Sequence, residues 1–191
     1  MTQRQAVNSS TQLNGWDLEA MTAAVEDVRQ NPEAGRVTWR GRAVWHGGFG
    51  LDAHTDAIEQ LGNRLERHFT LRGDHPPELL GSNTGPTAVE VLLAALGSCI
   101  AGTYAAQATG RGIQLDALEV EVDGCIDLNG FFGLQPVRPG LSDVRATIRV
   151  RSEADDETLE ELRLAALAAS PVFDTVANPV DVLTTVDRTG V

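Results

Sequence analysis

The chain contains no lysine, and all 15 of its basic residues are arginine. The absence of lysine excludes a Schiff-base lysine, a lysine general base and a phosphate-loop lysine. Acidic residues outnumber basic ones by 27 to 15, which gives a formal net charge of -12. This balance predicts that neither nucleic acid nor an anionic membrane surface is a partner, since both are bound through basic patches.

Long hydrophobic runs are also missing. The apolar run at residues 91–96 is as long as any in the chain, whereas a membrane-spanning helix needs about 18 residues. The first 15 residues are polar and lack the apolar segment of a secretory signal. These features predict a cytoplasmic protein without a membrane segment, and 191 residues suffice for one substantial domain.

Cysteine and histidine are few. The two cysteines are Cys99 and Cys125, and the four histidines show neither a zinc-ligand spacing with them nor an HExxH pattern. We therefore expect no metal and no cofactor. In a reducing cytosol a structural disulfide is not expected, so each thiol is considered separately.

Hydrophobic periodicity predicts an α+β protein. Helices are predicted over residues 17–31, 86–109 and 155–169, and strands within 36–72 and over 115–127, 142–152 and 180–186. Residues 1–35 are predicted to be a helical extension of a main domain at 36–191. Ser170 and Pro171 are typical of an N-cap followed by proline in the first helical turn.

The predicted helix at 86–109 has one face of large apolar residues and one of small residues, and Gly110 is expected just after its end. The small residues are Ala94, Ser98, Ala101, Gly102 and Ala105. A helix of this kind is typically buried on both sides, and the small face allows another helix to approach closely. Cys99 lies at the edge of the large face, where a cysteine is most often a small buried hydrophobe.

The strands at 115–127 and 142–152 alternate apolar and polar residues, which indicates two half-buried strands. If they pair, acidic side chains of the first and arginines of the second should face each other on the solvent side. Cys125 falls on this polar side. The segment between the strands is longer than a simple hairpin requires, and it is either a functional flap or an ordered surface connection.

One stretch resembles the signature of the OsmC/Ohr family, the osmotically inducible and organic hydroperoxide resistance proteins. The matching residues are Gly85-Pro86-Thr87, Glu90, the LLAALGSC run that ends at Cys99, and Arg111-Gly112-Ile113. The resemblance covers residues 36–187. It implies an OsmC-like α+β fold with antiparallel sheets around long central helices, and an intertwined homodimer with active sites at the interface.

The resemblance also implies a chemistry. Cys99 matches the peroxidatic cysteine, whose thiolate attacks the peroxide O–O bond and becomes a sulfenic acid. Glu90 is the candidate for the family's glutamate, which with an arginine helps to activate the thiol. In the peroxidases of the family a second cysteine then closes a disulfide, which an external dithiol reduces.

Three positions depart from the family pattern. Ser170 stands where the second cysteine is expected, so no disulfide forms through this position. The family's glutamate precedes its cysteine by ten residues, a place that Val89 holds here, whereas Glu90 precedes Cys99 by nine. No arginine matches the activating one clearly, and the candidates are Arg40, Arg42 and Arg72.

Two functions follow from the resemblance. The first is a thiol-dependent peroxidase-type activity in oxidative stress response, in which Cys99 alone reduces organic hydroperoxides or peroxide and an external thiol regenerates it. The alternative is a dimer that binds a small hydrophobic ligand without turnover or senses redox state. An unrelated hydrolytic or structural role is a third. If the protein is reactive, Cys99 should lie within reach of a charged or hydroxyl partner, at a pocket between two chains.

Overall fold

A computed structural model describes residues 12–188 of the protein. The chain divides into two compact units, residues 1–94 and 95–191, with the boundary inside the long helix that carries Cys99. Both units combine helices with antiparallel sheet, which confirms the predicted α+β class. The predicted boundary between residues 35 and 36 stays a prediction.

The first unit is built around a four-stranded antiparallel sheet. Its elements are β1 (Gln12–Leu13), β2 (Trp16–Asp17), α1 (Leu18–Gln30), β3 (Val37–Gly47), β4 (Gly50–Gln60), β5 (Asn63–Leu65) and β6 (Thr70–Gly73). Strand β4 pairs with β3, β5 and β6. The turn from β3 to β4 has positive φ at Gly47 (123°) and Gly48 (54°), a conformation that glycine adopts readily.

A compact loop leads from β6 to the long helix and is organised by one carboxylate. Asp74 is buried and accepts hydrogen bonds from the backbone N–H groups of His75 (2.8 Å), Ser82 (3.0 Å) and Thr84 (3.2 Å), and from the Thr84 hydroxyl (3.0 Å). The His75 bond first, and then those from Thr84 and Ser82, lower the pKa of Asp74 below its usual value. The loop is tight enough that a Cβ on Gly81 would lie 1.9 Å from the carbonyl oxygen of His75.

Helix α2 (Ala88–Gly110) begins at a reciprocal cap. The Thr87 hydroxyl accepts from the backbone N–H of Glu90 (3.2 Å), and the Glu90 carboxylate accepts from the backbone N–H of Thr87 (2.7 Å). At the other end, Gly112 has a φ of 71°, and the next amide, that of Ile113, donates to Ala108 O at 2.9 Å. The left-handed terminating glycine is therefore Gly112 rather than the predicted Gly110, which still belongs to the helix.

By length and composition α2 is apolar enough to cross a membrane, a property that it shares with core helices of soluble proteins. Its second half takes part in the core of the second unit. Leu96, Ile100, Tyr104 and Ala108 are fully or almost fully buried. A Cβ on the buried Gly97 would lie 3.2 Å from Val122 of the neighbouring strand, so α2 approaches that strand closely.

The second unit contains a two-stranded sheet of β7 (Ala117–Cys125) and β8 (Asp143–Arg151). Leu118, Val120 and Val122 are half-buried, whereas the residues between them are exposed, as predicted. Opposite each other on the exposed side lie Glu119 and Arg149, and Asp123 and Arg145. The segment between the strands holds one short helix, α3 (Leu128–Phe131), capped by the Asp127 side chain.

Two helices complete the second unit, α4 (Asp156–Ala169) and α5 (Pro171–Ala177). The Asp155 carboxylate caps α4 by accepting from the backbone N–H of Thr158 at 2.8 Å. Leu162 and Ala166 of α4 pack with Tyr104 and Ala108 of α2 in a buried cluster. The Tyr104 hydroxyl donates to the carbonyl oxygen of Leu159 at 3.1 Å, which satisfies the one polar atom that this side chain buries.

The predicted final strand at 180–186 is wrong. Within the described part of the chain these residues form no strand, although they are rich in β-branched side chains. Val182, Leu183 and Val186 are 80%, 96% and 91% exposed. Strand propensity reports how well side chains fit a pleated sheet, but a strand forms only where a neighbouring strand pairs with its backbone.

Candidate functional site

Cys99 lies in the middle of α2 and is partly buried. Its sulfur contacts the side chain of Ser170, 71 positions later in the sequence. The Ser170 Oγ lies 3.2 Å from the Cys99 Sγ, within hydrogen-bonding distance for a contact to sulfur. The sequence indicated a charged or hydroxyl partner for Cys99, and the described structure supplies a hydroxyl.

Ser170 is held in place by the junction of α4 and α5. It is 1% exposed, and its Oγ accepts a hydrogen bond from the backbone N–H of Phe173 at 3.3 Å. Its own N–H donates to Leu167 O, and its carbonyl accepts from the N–H of Asp174 at 2.9 Å. The predicted N-cap at Ser170, with Pro171 in the first helical turn, is confirmed.

The cap leaves the proton of the Ser170 hydroxyl available for the contact with sulfur. Because the Phe173 amide can only donate, it occupies a lone pair of the Ser170 Oγ. The hydroxyl proton is then available to the Cys99 Sγ, which is the other polar atom in contact with Oγ. Backbone amide, hydroxyl and sulfur therefore form a short chain of hydrogen bonds that ends on the thiol.

Glu90 is placed at the start of α2. Its carboxylate accepts from the backbone N–H of Thr87, and this bond is the first cause that lowers the pKa of Glu90; the Thr87 side chain and, more weakly, His75 act in the same direction. Glu90 is thus an ionised capping residue. The pattern Thr87-x-x-Glu90 is a capping box that is visible in the sequence. Its catalytic role stays a prediction.

The candidate arginines belong to the sheet of the first unit. Arg40 forms an ion pair with Glu59 at 2.8 Å, and the Arg72 guanidinium lies 3.6 Å from the Asp52 carboxylate. Both pairs join neighbouring strands, β3 with β4 and β4 with β6. An activating role of Arg40, Arg42 or Arg72 stays a prediction.

Cys125 ends β7 on the exposed side, as the alternation predicted. Its Sγ lies 3.7 Å from the carbonyl oxygen of Ile126, the next residue. Both cysteines are free thiols.

One group of metal-ligand side chains occurs in the described residues. Asp56, Glu66 and His68 bring one ligand atom each to within 4.8 Å of one another. Arg64 already engages both carboxylates, with nitrogen–oxygen distances of 2.6 Å to Glu66 and 3.2 Å to Asp56. The carboxylates are therefore paired with a guanidinium, and the surroundings are those of a surface ion-pair network.

Comparison with known structures identifies the fold. It is similar to that of an OsmC-like protein from Mycoplasma pneumoniae, with 18% sequence identity, a TM-score of 0.59, and coverage of 74% of this chain and 89% of that one. An organic hydroperoxide resistance protein OsmC from Legionella pneumophila matches with 17% identity, a TM-score of 0.55, and coverage of 75% and 92%. An organic hydroperoxide resistance protein from Elizabethkingia anophelis matches with 14% identity, a TM-score of 0.55, and coverage of 74% and 89%. At these identities the similarity concerns the fold alone.

The sequence itself gives the family. The family model for the OsmC-like protein matches residues 81–185, more than half of the chain, and this range contains both Cys99 and Ser170. No curated protein matches the sequence. The matched range and the shared fold together establish that the chain belongs to the OsmC-like family.

Proposed function

We propose that the protein is a thiol-dependent peroxidase-type member of its family, which reduces organic hydroperoxides or peroxide through Cys99 as part of an oxidative stress response. The observation that carries the proposal is the partly buried residue Cys99, whose Sγ lies 3.2 Å from the Ser170 hydroxyl oxygen. Two structures of similar fold are named organic hydroperoxide resistance proteins, which supports the choice of substrate class.

The proposed first step is nucleophilic attack by sulfur on the peroxide. The Cys99 thiolate forms a bond to one peroxide oxygen while the O–O bond breaks, and the departing alkoxide takes a proton and leaves as an alcohol. Sulfur is oxidised by two electrons and becomes a sulfenic acid, and the peroxide is reduced by the same two electrons.

Regeneration requires a thiol from outside the chain. Serine cannot form a disulfide, so Ser170 cannot resolve the sulfenic acid of Cys99 by itself. A first external thiol instead condenses with the sulfenic acid to give a mixed disulfide and water. A second external thiol attacks this disulfide, which releases an oxidised thiol dimer and restores Cys99.

The decisive experiment compares hydroperoxide consumption by the wild type, by Cys99→Ser and by the matched control Cys125→Ser. We expect one equivalent of cumene hydroperoxide to be consumed per chain without reductant, and turnover when a low-molecular-weight thiol is added. Cys125→Ser should behave as the wild type, and Cys99→Ser should be inactive. A wild type that consumes no hydroperoxide and yields no trapped sulfenic acid at Cys99 would exclude the proposal.

A second candidate function is binding or redox sensing without turnover. Ser170 favours it, because a member without a cysteine at this resolving position cannot close the family's disulfide to complete a catalytic cycle. In that case Cys99 would line a site for a small hydrophobic ligand or would be oxidised once as a signal. Formation of a stable Cys99 sulfenic acid that added thiols do not reduce would favour sensing over catalysis.

A homodimer is part of the proposal. On α2 the small residues Ala94, Ser98 and Gly102 are exposed in the single chain, and a Cβ on Gly102 would meet no atom within 4 Å. Burial of this face against a second copy would remove apolar surface from water. Light scattering coupled to gel filtration should give twice the chain mass, and Gly102→Glu, which puts a charge on this face, should weaken the dimer.

Cytoplasmic localisation belongs to the same proposal. A low-molecular-weight thiol is abundant in a reducing compartment, which is where the external reductant would be met. The charge of -12 and the absence of lysine are consistent with a protein that binds neither nucleic acid nor a membrane surface. Fractionation of the cells that produce the protein would test this.

A further inference from the structure

We propose that Ser170 is a positioning residue for Cys99. The start of α5 fixes the Ser170 hydroxyl so that it donates a hydrogen bond to the Cys99 thiolate. The role of Ser170 in catalysis rests on the proposed peroxidase function. The arrangement itself concerns only the reactivity of the thiol, which can be measured without any peroxide.

The Ser170 hydroxyl has little freedom to turn away from sulfur. Ser170 is 1% exposed, so water does not compete for its Oγ. The backbone around it is tied on both sides, by its own N–H to Leu167 O and by the N–H of Asp174 to its carbonyl oxygen. The side chain is tied as well, by the N–H of Phe173 at 3.3 Å.

The same contacts orient the proton of the Ser170 hydroxyl. The Phe173 amide supplies a donor to Oγ, which leaves the hydroxyl proton directed to the Cys99 Sγ at 3.2 Å. A thiolate is a much stronger acceptor than a neutral thiol, because hydrogen bonds to charged groups are about twice as strong as neutral ones. The contact therefore holds a hydrogen-bond donor against the thiolate, which is the nucleophilic form of Cys99.

The role of Ser170 toward sulfur is distinct from its role as a helix cap. Asp, Asn and Thr all cap helices well, so the start of α5 does not require serine. An aspartate in this place would accept from the Phe173 amide, but it would turn a negative charge rather than a donor toward sulfur. Substitutions that keep the cap and change the group facing Sγ therefore test the inference directly.

The experiment measures the rate of alkylation of Cys99 by iodoacetamide as a function of pH, in a Cys125→Ser background so that one thiol reports. Ser170→Thr, which keeps a hydroxyl, should react within about twofold of the parent. Ser170→Ala should react about tenfold more slowly near neutral pH, the loss expected for a hydrogen bond to a charged group. Ser170→Asp should be slower still, because like charges repel.

The matched control is Asp155→Ala, which removes the cap of α4 in the same unit without touching Cys99. Circular dichroism should show that all variants keep their helices, and the control should leave the alkylation profile unchanged. If Ser170→Asp reacts as fast as the parent, or if Asp155→Ala slows Cys99 as much as Ser170→Ala does, Ser170 is only a cap and the inference is wrong. Slower alkylation of Cys99 in Ser170→Ala and Ser170→Asp, with no hydroperoxide consumption by the wild type, would support the inference while excluding the peroxidase proposal.

Discussion

Substitution of Ser170 by cysteine should turn the Cys99 site into a redox pair. The Ser170 Oγ and the Cys99 Sγ are 3.2 Å apart, whereas the two sulfurs of a disulfide are about 2.0 Å apart, so side chains need to move by about 1 Å. After one equivalent of hydroperoxide, the sulfenic acid of Cys99 should condense with the introduced thiol and release water. Cys99 would then no longer depend on an external thiol for the resolving step.

The magnitude follows from the length of chain that the bond would close. The two positions are 71 residues apart, for which the loss of entropy in the unfolded chain corresponds to about 4 kcal/mol of stabilisation in an unstrained disulfide. The oxidised variant should therefore unfold at clearly higher urea concentration than its reduced form. The difference should be absent in the wild type, which forms no such bond.

The assay counts alkylatable thiols by mass spectrometry before and after hydroperoxide treatment, in a Cys125→Ser background. The expected result is loss of both thiols at one equivalent of oxidant and their return with a dithiol. Ser152→Cys in the same background serves as the control, because it adds a thiol elsewhere in the second unit. If oxidation leaves the introduced thiol at position 170 free while Cys99 accumulates as sulfenic acid, the two side chains do not come within reach in solution.

Three further predictions concern the elements that support the site. Thr87→Ala should cost about 1 kcal/mol of unfolding free energy by removing the cap of α2. Glu90→Gln should have nearly the unfolding free energy of the wild type, because glutamine also completes a capping box. A large loss of hydroperoxide reduction in Glu90→Gln at unchanged stability would reveal the catalytic role that the sequence suggested. Leu162→Ala, which empties a fully buried core position, should cost roughly 3–5 kcal/mol in urea unfolding, and a cost below about 1 kcal/mol would contradict the described packing. The pKa of Asp74 is lowered in the folded protein. Its ionised form therefore contributes stability above the pKa of the unfolded chain, about 3.9, and this stability is lost as the pH falls through the folded pKa. Acid unfolding of Asp74→Asn should depend less steeply on pH below about 4, and an unchanged slope would argue against the hydrogen bonds of this loop.

Local patterns allowed much of the fold to be predicted. The alternation in β7 set the inward and outward sides of the strand, including the exposed position of Cys125, because successive side chains of a strand point to opposite faces. In β8 the prediction is correct for Ile148 and Val150 but wrong for Val144 and Ala146, which were predicted to point inward and are exposed. The cap at Ser170 followed from Ser-Pro for a similar reason, since capping involves atoms only a few residues apart. The same kind of signal, Thr87-x-x-Glu90, identifies the start of α2.

Patterns that need a distant partner were less informative. Residues 180–186 have strand-forming composition, yet they form no strand in the described chain, because a β-strand is completed only by hydrogen bonds to another strand. The terminating glycine of α2 was misplaced by two positions, since both Gly110 and Gly112 suit a helix end and only Gly112 takes the left-handed conformation.

The sequence by itself determined the family, the α+β class, the lack of lysine chemistry and the presence of one candidate nucleophile, because these depend on residue identity and short-range spacing. Only the tertiary structure showed that the Ser170 hydroxyl, anchored by the Phe173 amide, lies against the Cys99 sulfur. A contact between groups 71 positions apart depends on how α2, α4 and α5 pack. No local spacing encodes that distance, on which the proposed role of Ser170 depends.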